Sequence, residues 1–271
     1  MNNQNMFDPA YLFPYAAIAA RFKQDSGDGD ANKDDFIQDI VKKWLPGSAI
    51  HLFYDESKLD FTYAIEHDGK LLIACLGTQG GLLDEGWKSD FSIQVETESF
   101  LQLGGHVDFI HAGEKTAEYF MQMVADTKYR YNFYIIGHSR GGPRAIAAAR
   151  HFYRKLNAIP IRCITYCAPP VFHHSAADEY DKCGLGSVTI RVTMHHDPID
   201  VAFIPVLKHV GIELKMPDIE TTAEKHHGII GKFFYGHAYS SVFECLQKYC
   251  HGRDMKKEWE WLENTKWIAT V

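Results

Sequence analysis

The stretch "YNFYIIGHSRGGPRAIAAA", residues 131–149, joins two runs of different character at a serine. The run before Gly137 is apolar and aromatic, as in a buried strand, and the run after Pro143 is rich in alanine, as in a helix. Ser139 lies at the junction, with Gly137 two residues before it and Gly141 two residues after it. In a tight strand-to-helix turn the serine is pushed out of the sheet edge, and the glycines let the neighbouring backbone pass without Cβ clashes. The stretch therefore predicts an accessible hydroxyl at the N-terminus of a helix.

Such a serine is a candidate nucleophile. The backbone N–H of the next residue, Arg140, can donate a hydrogen bond to an oxyanion, and the helix dipole adds to that stabilisation. A hydroxyl is a poor nucleophile until a base takes its proton, so an acid and a histidine are expected later in the chain. The alternative interpretation is a glycine-rich connection without a chemical role.

Two later segments supply those partners. The stretch "SVTIRVTMHHDPIDVAF" (187–203) predicts a strand followed directly by Asp197, at the same sheet edge as Ser139. The stretch "FFYGHAYSSVF" (233–243) places His237 after a glycine and at the start of a predicted helix. Asp200, three residues beyond Asp197, is a rival for the acid, and Asp178, which we place in a polar loop, is a weaker third candidate.

The order of predicted elements favours an α/β fold. Because strands and helices alternate along the chain, we expect a mostly parallel central sheet with helices on both faces, in a single domain over residues 1–271. The dipeptide "DG" between "FTYAIEH" and "KLLIACLG" predicts a β-hairpin. The other predicted helices cover 9–22, the segment from Phe36 to Trp44, 107–127, 140–156, 237–250 and 254–264, and the other strands cover "AIHLFY", 132–136, 161–167 and 187–194.

Composition excludes several classes of function. The chain has 271 residues and a formal net charge of −7, which argues against nucleic acid as the main partner. Its apolar stretches are shorter than the roughly 20 residues of a membrane helix, so no transmembrane segment is expected. The N-terminus lacks an ordinary secretory signal, and the six cysteines show no CxxC spacing. We therefore expect a cytoplasmic location, or export without a cleaved signal.

The histidines do not indicate a metal site. Three adjacent pairs occur, at 173–174, 195–196 and 226–227, but neighbouring residues on a strand point to opposite faces. No HExxH motif accompanies them, so neither a metal nor another cofactor is expected. His138, directly before the serine, points the wrong way to be its base, and we expect it to pack in the interior.

Taken in order, these segments resemble the class 3 lipase family of the α/β-hydrolase superfamily. "GHSRGG" resembles that family's GHSLGG elbow, and "RVTMHHDPIDVAF", "KHVGIEL" and "GHAYSSVF" resemble its acid, HVG and histidine segments. Upstream, "LLIACLGTQGGLLDEGWKSDF" is similar to its "FRGT…DW..D" stretch, and this similarity implies a packing role for Trp87 and Asp90. The resemblance runs from about residue 60 to 245.

The resemblance implies a role for each matching residue. Ser139 would be the nucleophile, His237 the general base and acid, and Asp197 the group that orients the histidine. Thr78 and the Arg140 N–H would form the oxyanion hole. The family usually has arginine where this chain has Leu76 and leucine where it has Arg140, and these departures bear on substrate preference.

The resemblance also implies the reaction. We expect a serine hydrolase that cleaves lipid esters, such as acylglycerols or phospholipids, through an acyl-enzyme. Residues 79–93 would form a lid that opens at a lipid interface, with hinge glycines and the apolar side chains of Leu82, Leu83 and Trp87. The alternatives are an ordinary surface loop in a soluble carboxylesterase, an acyltransferase with the same triad, or an inactive hydrolase-like binding protein. The sequence does not indicate an oligomeric state.

Overall fold

The computed structural model describes residues 33–54, 61–75, 105–126, 128–194, 197, 199, 206–216, 242, 245 and 246. The helices predicted at 9–22 and 254–264 lie outside this part of the chain, as does most of the helix predicted at 237–250. The helices are α1 (Lys33–Trp44), α2 (Val107–Ala125), α3 (Gly141–Leu156), α4 (His174–Lys182) and α5 (Leu185–Val188). The strands are β1 (Ala49–Tyr54), β2 (Phe61–His67), β3 (Lys70–Cys75), β4 (Phe133–His138), β5 (Arg162–Tyr166), β6 (Thr189–Thr193) and β7 (Ile212–Lys215).

The strands form one sheet in the order β1-β2-β3-β4-β5-β6-β7. The first three strands are antiparallel, and β3 to β7 are parallel. The predicted hairpin joins β2 to β3 through Asp68 and Gly69, whose φ angles of 48° and 73° are positive, as both central residues of a type I′ hairpin turn require. The expectation of a mostly parallel α/β sheet is confirmed.

Helices cover both faces of the sheet, because the strand side chains alternate between two apolar layers. In β4, Phe133 and Ile135 join the layer that contains α2 and α3. Tyr134 and Ile136 join the opposite layer, where Ile37 and Val41 of α1 pack. A strand buried on both faces is apolar throughout, which explains the unbroken apolar run that marked β4 in the sequence.

Helices α2 and α3 run parallel to each other, since each returns the chain from the carboxyl edge of one parallel strand to the start of the next. They touch at Gly113, where an added Cβ would lie 2.5 Å from the Ala147 Cβ and 2.7 Å from the Arg144 carbonyl oxygen. Glycine is therefore needed for close packing of the two helices. Within the described residues, none of the helices has both the length and the hydropathy that crossing a bilayer requires.

Three elements differ from the sequence interpretation. Asp178 lies in helix α4 and not in a polar loop, helix α5 covers the first two residues of the strand predicted at 187–194, and β7 was not predicted as a strand. Helix α4 has only nine residues and a small buried face, formed by Ala176, Ala177 and Tyr180, so its apolar periodicity is weak. Strand β7 has four mostly exposed residues and forms by pairing with β6, which is a tertiary interaction.

Candidate active site

Ser139 lies in the turn between β4 and α3, as the sequence predicts. Its φ angle of 52° is in the left-handed region, which residues with a side chain seldom adopt. Its N–H donates to the Tyr166 carbonyl at the end of β5 (2.9 Å), and its own carbonyl accepts from the Gly142 N–H (2.9 Å). These bonds hold the strained conformation, and the serine is only 8% exposed, whereas the sequence predicts an accessible hydroxyl. A strained residue held firmly at a sheet edge is a common feature of functional sites.

Two glycines make this turn possible. A Cβ on Gly137 would lie 2.1 Å from the Gly141 carbonyl oxygen, which is an impossible contact with rigid backbone. A Cβ on Gly142 would lie 2.3 Å from the Ala168 Cβ, in the segment after β5. The glycines flanking the serine therefore let α3 start directly above the end of β4. The steric reason that the sequence pattern suggested holds at Gly137, whereas the second close approach is at Gly142 and not at the predicted Gly141.

Arg140 immediately precedes the first residue of α3, with φ −52° and ψ −30°. The backbone N–H groups of a helix's first turn have no partner within the helix, and the helix dipole favours negative charge at that end. An oxyanion that forms beside Ser139 would meet this environment. The second proposed donor, Thr78, lies outside the described residues.

Asp197 follows β6 by four residues and is buried, with 4% of its surface exposed. One carboxylate oxygen accepts a hydrogen bond from the Ile199 N–H at 2.9 Å, which fixes the orientation of the carboxylate. Strands β4, β5 and β6 are adjacent and parallel, so Ser139 and Asp197 lie at the same edge, with their strands about 10 Å apart. The edge that carries Ser139 therefore also carries a buried carboxylate of fixed orientation.

Of the other predicted site residues, the structure describes Asp178 but not Asp200 or His237. Asp178, on the surface of α4, forms an ion pair with Lys208 at 2.5 Å, and that contact lowers the pKa of its carboxyl. This structural role removes Asp178 from the acid candidates. Asp200, His237 and the predicted lid at 79–93 lie outside the described residues, so their roles stay predictions.

The described residues contain no group of three or more histidine, cysteine or acidic side chains arranged to hold a metal ion. Cys163, a second potential nucleophile, is buried within β5, and burial raises the pKa of its thiol to about 12. It is therefore uncharged at neutral pH and unreactive. His138 is buried, as expected, at 2% exposure.

Sequence reasoning missed His106, which immediately precedes α2 at the same edge of the sheet. The residue is 7% exposed, and neither ring nitrogen has a hydrogen-bond partner among the described residues. The available signal was a histidine directly before the predicted helix 107–127, since helices between parallel strands begin at the carboxyl edge. One histidine among fifteen gave no reason to single it out.

Comparisons with family models and with solved structures both find lipases. Residues 72–206 match the model of the lipase (class 3) family, a segment that includes Ser139 and Asp197. No similar sequence was found among curated proteins.

Solved structures of fungal lipases share the fold. The Lip2 lipase of Yarrowia lipolytica superimposes with a TM-score of 0.61 at 14% identity, covering 89% of this chain and 94% of that chain. The triacylglyceride lipase of Rhizomucor miehei gives a TM-score of 0.61 at 14% identity, covering 90% of this chain and 98% of that chain. A fungal lipase–inhibitor complex that models interfacial activation gives 0.55 at 16% identity, covering 80% and 82% respectively.

Proposed function

Because the chain belongs to the class 3 lipase family and is a carboxylic ester hydrolase, we propose that it cleaves lipid esters through Ser139, His237 and Asp197. The observation that carries this proposal is the left-handed Ser139 at the start of α3. A buried Asp197 at the same sheet edge supports it. His237, in the segment "GHAYSSVF", has the residue type and chain order that the triad requires.

The reaction follows from these positions. The Ser139 hydroxyl oxygen attacks the ester carbonyl while His237 takes the hydroxyl proton, and Asp197 stabilises the imidazolium that results. The Arg140 N–H and Thr78 hold the oxyanion of the tetrahedral intermediate. Collapse of the intermediate breaks the ester bond, and His237 gives its proton to the departing alcohol. Water activated by His237 then cleaves the acyl-enzyme and releases the carboxylic acid.

A fluorophosphonate probe combined with an ester assay tests the mechanism. The wild-type chain is expected to be labelled and to hydrolyse a short-chain ester. Ser139→Ala is expected to remain unlabelled, and its turnover is expected to fall by a factor of about 10⁶. Ser175→Ala is a matched control, since Ser175 is an exposed serine near the start of α4. If Ser139→Ala keeps more than a few per cent of the activity, another residue is the nucleophile.

The substrate is proposed to be an aggregated lipid ester, either an acylglycerol or a phospholipid. Family membership supports this proposal, as do the glycines and apolar side chains of residues 79–93, which suit a lid. The rate is measured against ester concentration through the solubility limit. A jump where droplets or micelles appear supports the proposal. Smooth saturation well below that limit, unchanged when residues 80–86 are shortened, identifies a soluble carboxylesterase.

A further inference from the structure

His106 lies beside Arg140, although 34 positions separate them in the chain. Helices α2 and α3 are parallel and meet where Gly113 touches Ala147. Seven residues earlier, two turns back along each helix, the chain reaches His106 on one side and Arg140 on the other. The positive charge of Arg140 acts on the His106 ring, which agrees with this placement.

The backbone fixes His106 at the edge of the sheet that carries Ser139. Its N–H donates to the Val171 carbonyl at 2.8 Å, and Gly105 forms a β-bridge with Phe172. Val171 and Phe172 belong to the segment that leaves the carboxyl end of β5. A Cβ at Gly105 would lie 2.1 Å from the Val171 carbonyl oxygen, so the two segments are in close contact.

The His106 ring is buried and has a fixed orientation. It stacks on the Phe109 ring, with centroids 4.2 Å apart and an interplanar angle of 25°. The ring does not cap its own helix, and neither nitrogen has a hydrogen-bond partner within the part of the chain that the structure describes. Burying unpaired polar atoms costs free energy, so an arrangement of this kind needs a reason.

The imidazole is also held uncharged. Burial lowers the pKa of His106, the Arg140 guanidinium lowers it further, and the exposed Asp108 carboxylate opposes the shift. An uncharged imidazole carries one N–H donor and one nitrogen acceptor. A hydroxyl group both donates and accepts, so it can pair with either nitrogen, whichever tautomer is present.

We infer that His106 is a specificity-determining residue that hydrogen-bonds a hydroxyl group next to the scissile ester. The preferred substrates are then esters that carry a free hydroxyl, and partially acylated glycerols belong to this class. The inference rests on the proposed function, because it places the substrate between Ser139 and the start of α2. Binding a hydroxyl would give a hydrogen-bond partner to one of the two imidazole nitrogens, neither of which has one among the described residues.

Two matched pairs of water-soluble esters test the inference on the full chain. In the first pair, glyceryl monobutyrate carries hydroxyl groups on the alcohol side of the ester that propyl butyrate lacks. In the second pair, ethyl 3-hydroxybutyrate carries a hydroxyl group on the acyl side that ethyl butyrate lacks. The readout is the ratio of kcat/KM within each pair. In His106→Phe, which keeps an aromatic ring on Phe109, the ratio of one pair is expected to fall about tenfold, as for the loss of one hydrogen bond.

Further variants separate recognition from folding. His106→Gln keeps a side-chain donor and acceptor and is expected to restore most of the ratio. His106→Leu is a second variant without hydrogen-bonding groups, so the result does not depend on the folding of one protein. Asp108→Asn is the control, because it removes a neighbouring exposed charge and leaves the ring in place.

The outcomes distinguish this inference from the proposed function. A wild-type chain that hydrolyses all four esters, with both ratios unchanged in His106→Phe and His106→Leu, overturns the inference alone. A wild-type chain that hydrolyses none of them overturns the proposed function and the inference together. A shift in one ratio that His106→Gln reverses supports the inference and shows on which side of the ester the hydroxyl lies.

Discussion

At the scale of single residues, the strain at Ser139 can be separated from its chemistry. Ser139→Gly is expected to abolish hydrolysis and to raise the free energy of unfolding by about 1 kcal/mol, because glycine adopts φ 52° without a Cβ penalty. Ser139→Ala is the matched control, since it loses the hydroxyl but keeps the Cβ. Urea denaturation of the two variants checks the prediction. Equal stability of both would show that the turn carries no strain at this residue.

The acid is tested by two asparagine variants. Asp197→Asn is expected to reduce turnover by roughly 10⁴, because an amide at that position favours the wrong tautomer of the histidine. Asp200→Asn is the matched control and should have a mild effect. Both variants are compared in the same ester assay, with circular dichroism to confirm folding. A larger loss in Asp200→Asn would transfer the role of the acid to that residue.

The residue scale also shows what the sequence reveals about the site. The positions of Ser139 and Asp197 were predictable because each follows a strand of the sheet, and the glycine spacing has a steric cause at Gly137. His106 was not predictable, because its importance comes from what surrounds it after folding. Its burial and its proximity to Arg140 depend on how α2 packs against α3.

At the scale of elements, the contact between α2 and α3 reverses an ordinary helix rule. Replacing glycine by alanine in the interior of a helix usually stabilises it by about 1 kcal/mol. Gly113→Ala is expected to destabilise the protein by about 1–3 kcal/mol, because the new Cβ would lie 2.5 Å from the Ala147 Cβ and overpack the interface. Thermal or urea unfolding measures the change.

The control for this prediction is Ala112→Gly, one position away and less buried. This variant measures how much a glycine in the same helical turn lowers the free energy of unfolding, about 1 kcal/mol, and it leaves the contact with Ala147 unchanged. If Gly113→Ala were more stable than the wild-type chain, the two helices would have to pack less closely than the structure shows.

The elements that sequence reasoning found and missed differ in how they are stabilised. Helix α3 and strand β4 carry strong periodic or continuous apolar patterns, since both are buried in the centre of the fold. Helix α4 depends on tertiary contacts. The Glu179 carboxylate accepts hydrogen bonds from Arg150 at 2.9 Å and from Arg154 at 3.0 Å, and both arginines belong to α3. Pairs of this kind leave no periodic signal.

At the scale of the whole molecule, the described carboxyl and imidazole groups give the free energy of unfolding two windows of pH dependence below neutrality. Hydrogen bonds from Tyr129 and His51 lower the pKa of Glu66 against the opposing effect of burial, and hydrogen bonds from Arg154 and Arg150 do the same for Glu179. A carboxyl whose pKa is lowered by folding stabilises the folded state at every pH above the pKa that it has in the unfolded chain. These contributions are therefore lost only in acid, below about pH 4.5.

His106 affects the free energy of unfolding at higher pH than these carboxyls do, near the ordinary histidine pKa of 6.5. Its folded pKa lies below the ordinary value of 6.5, so between the two values the unfolded chain binds a proton that the folded chain does not. Stability therefore falls as the pH drops below 6.5 and levels off below the folded pKa. The free energy of unfolding is measured in urea at pH 7.5 and pH 5.0. The wild-type chain is expected to lose more stability over this interval than His106→Gln, whose side chain does not titrate. Because the acidic window opens only at lower pH, the difference between the two proteins isolates the buried imidazole. Equal losses in both would mean that His106 takes up its proton as readily in the folded chain as in the unfolded one.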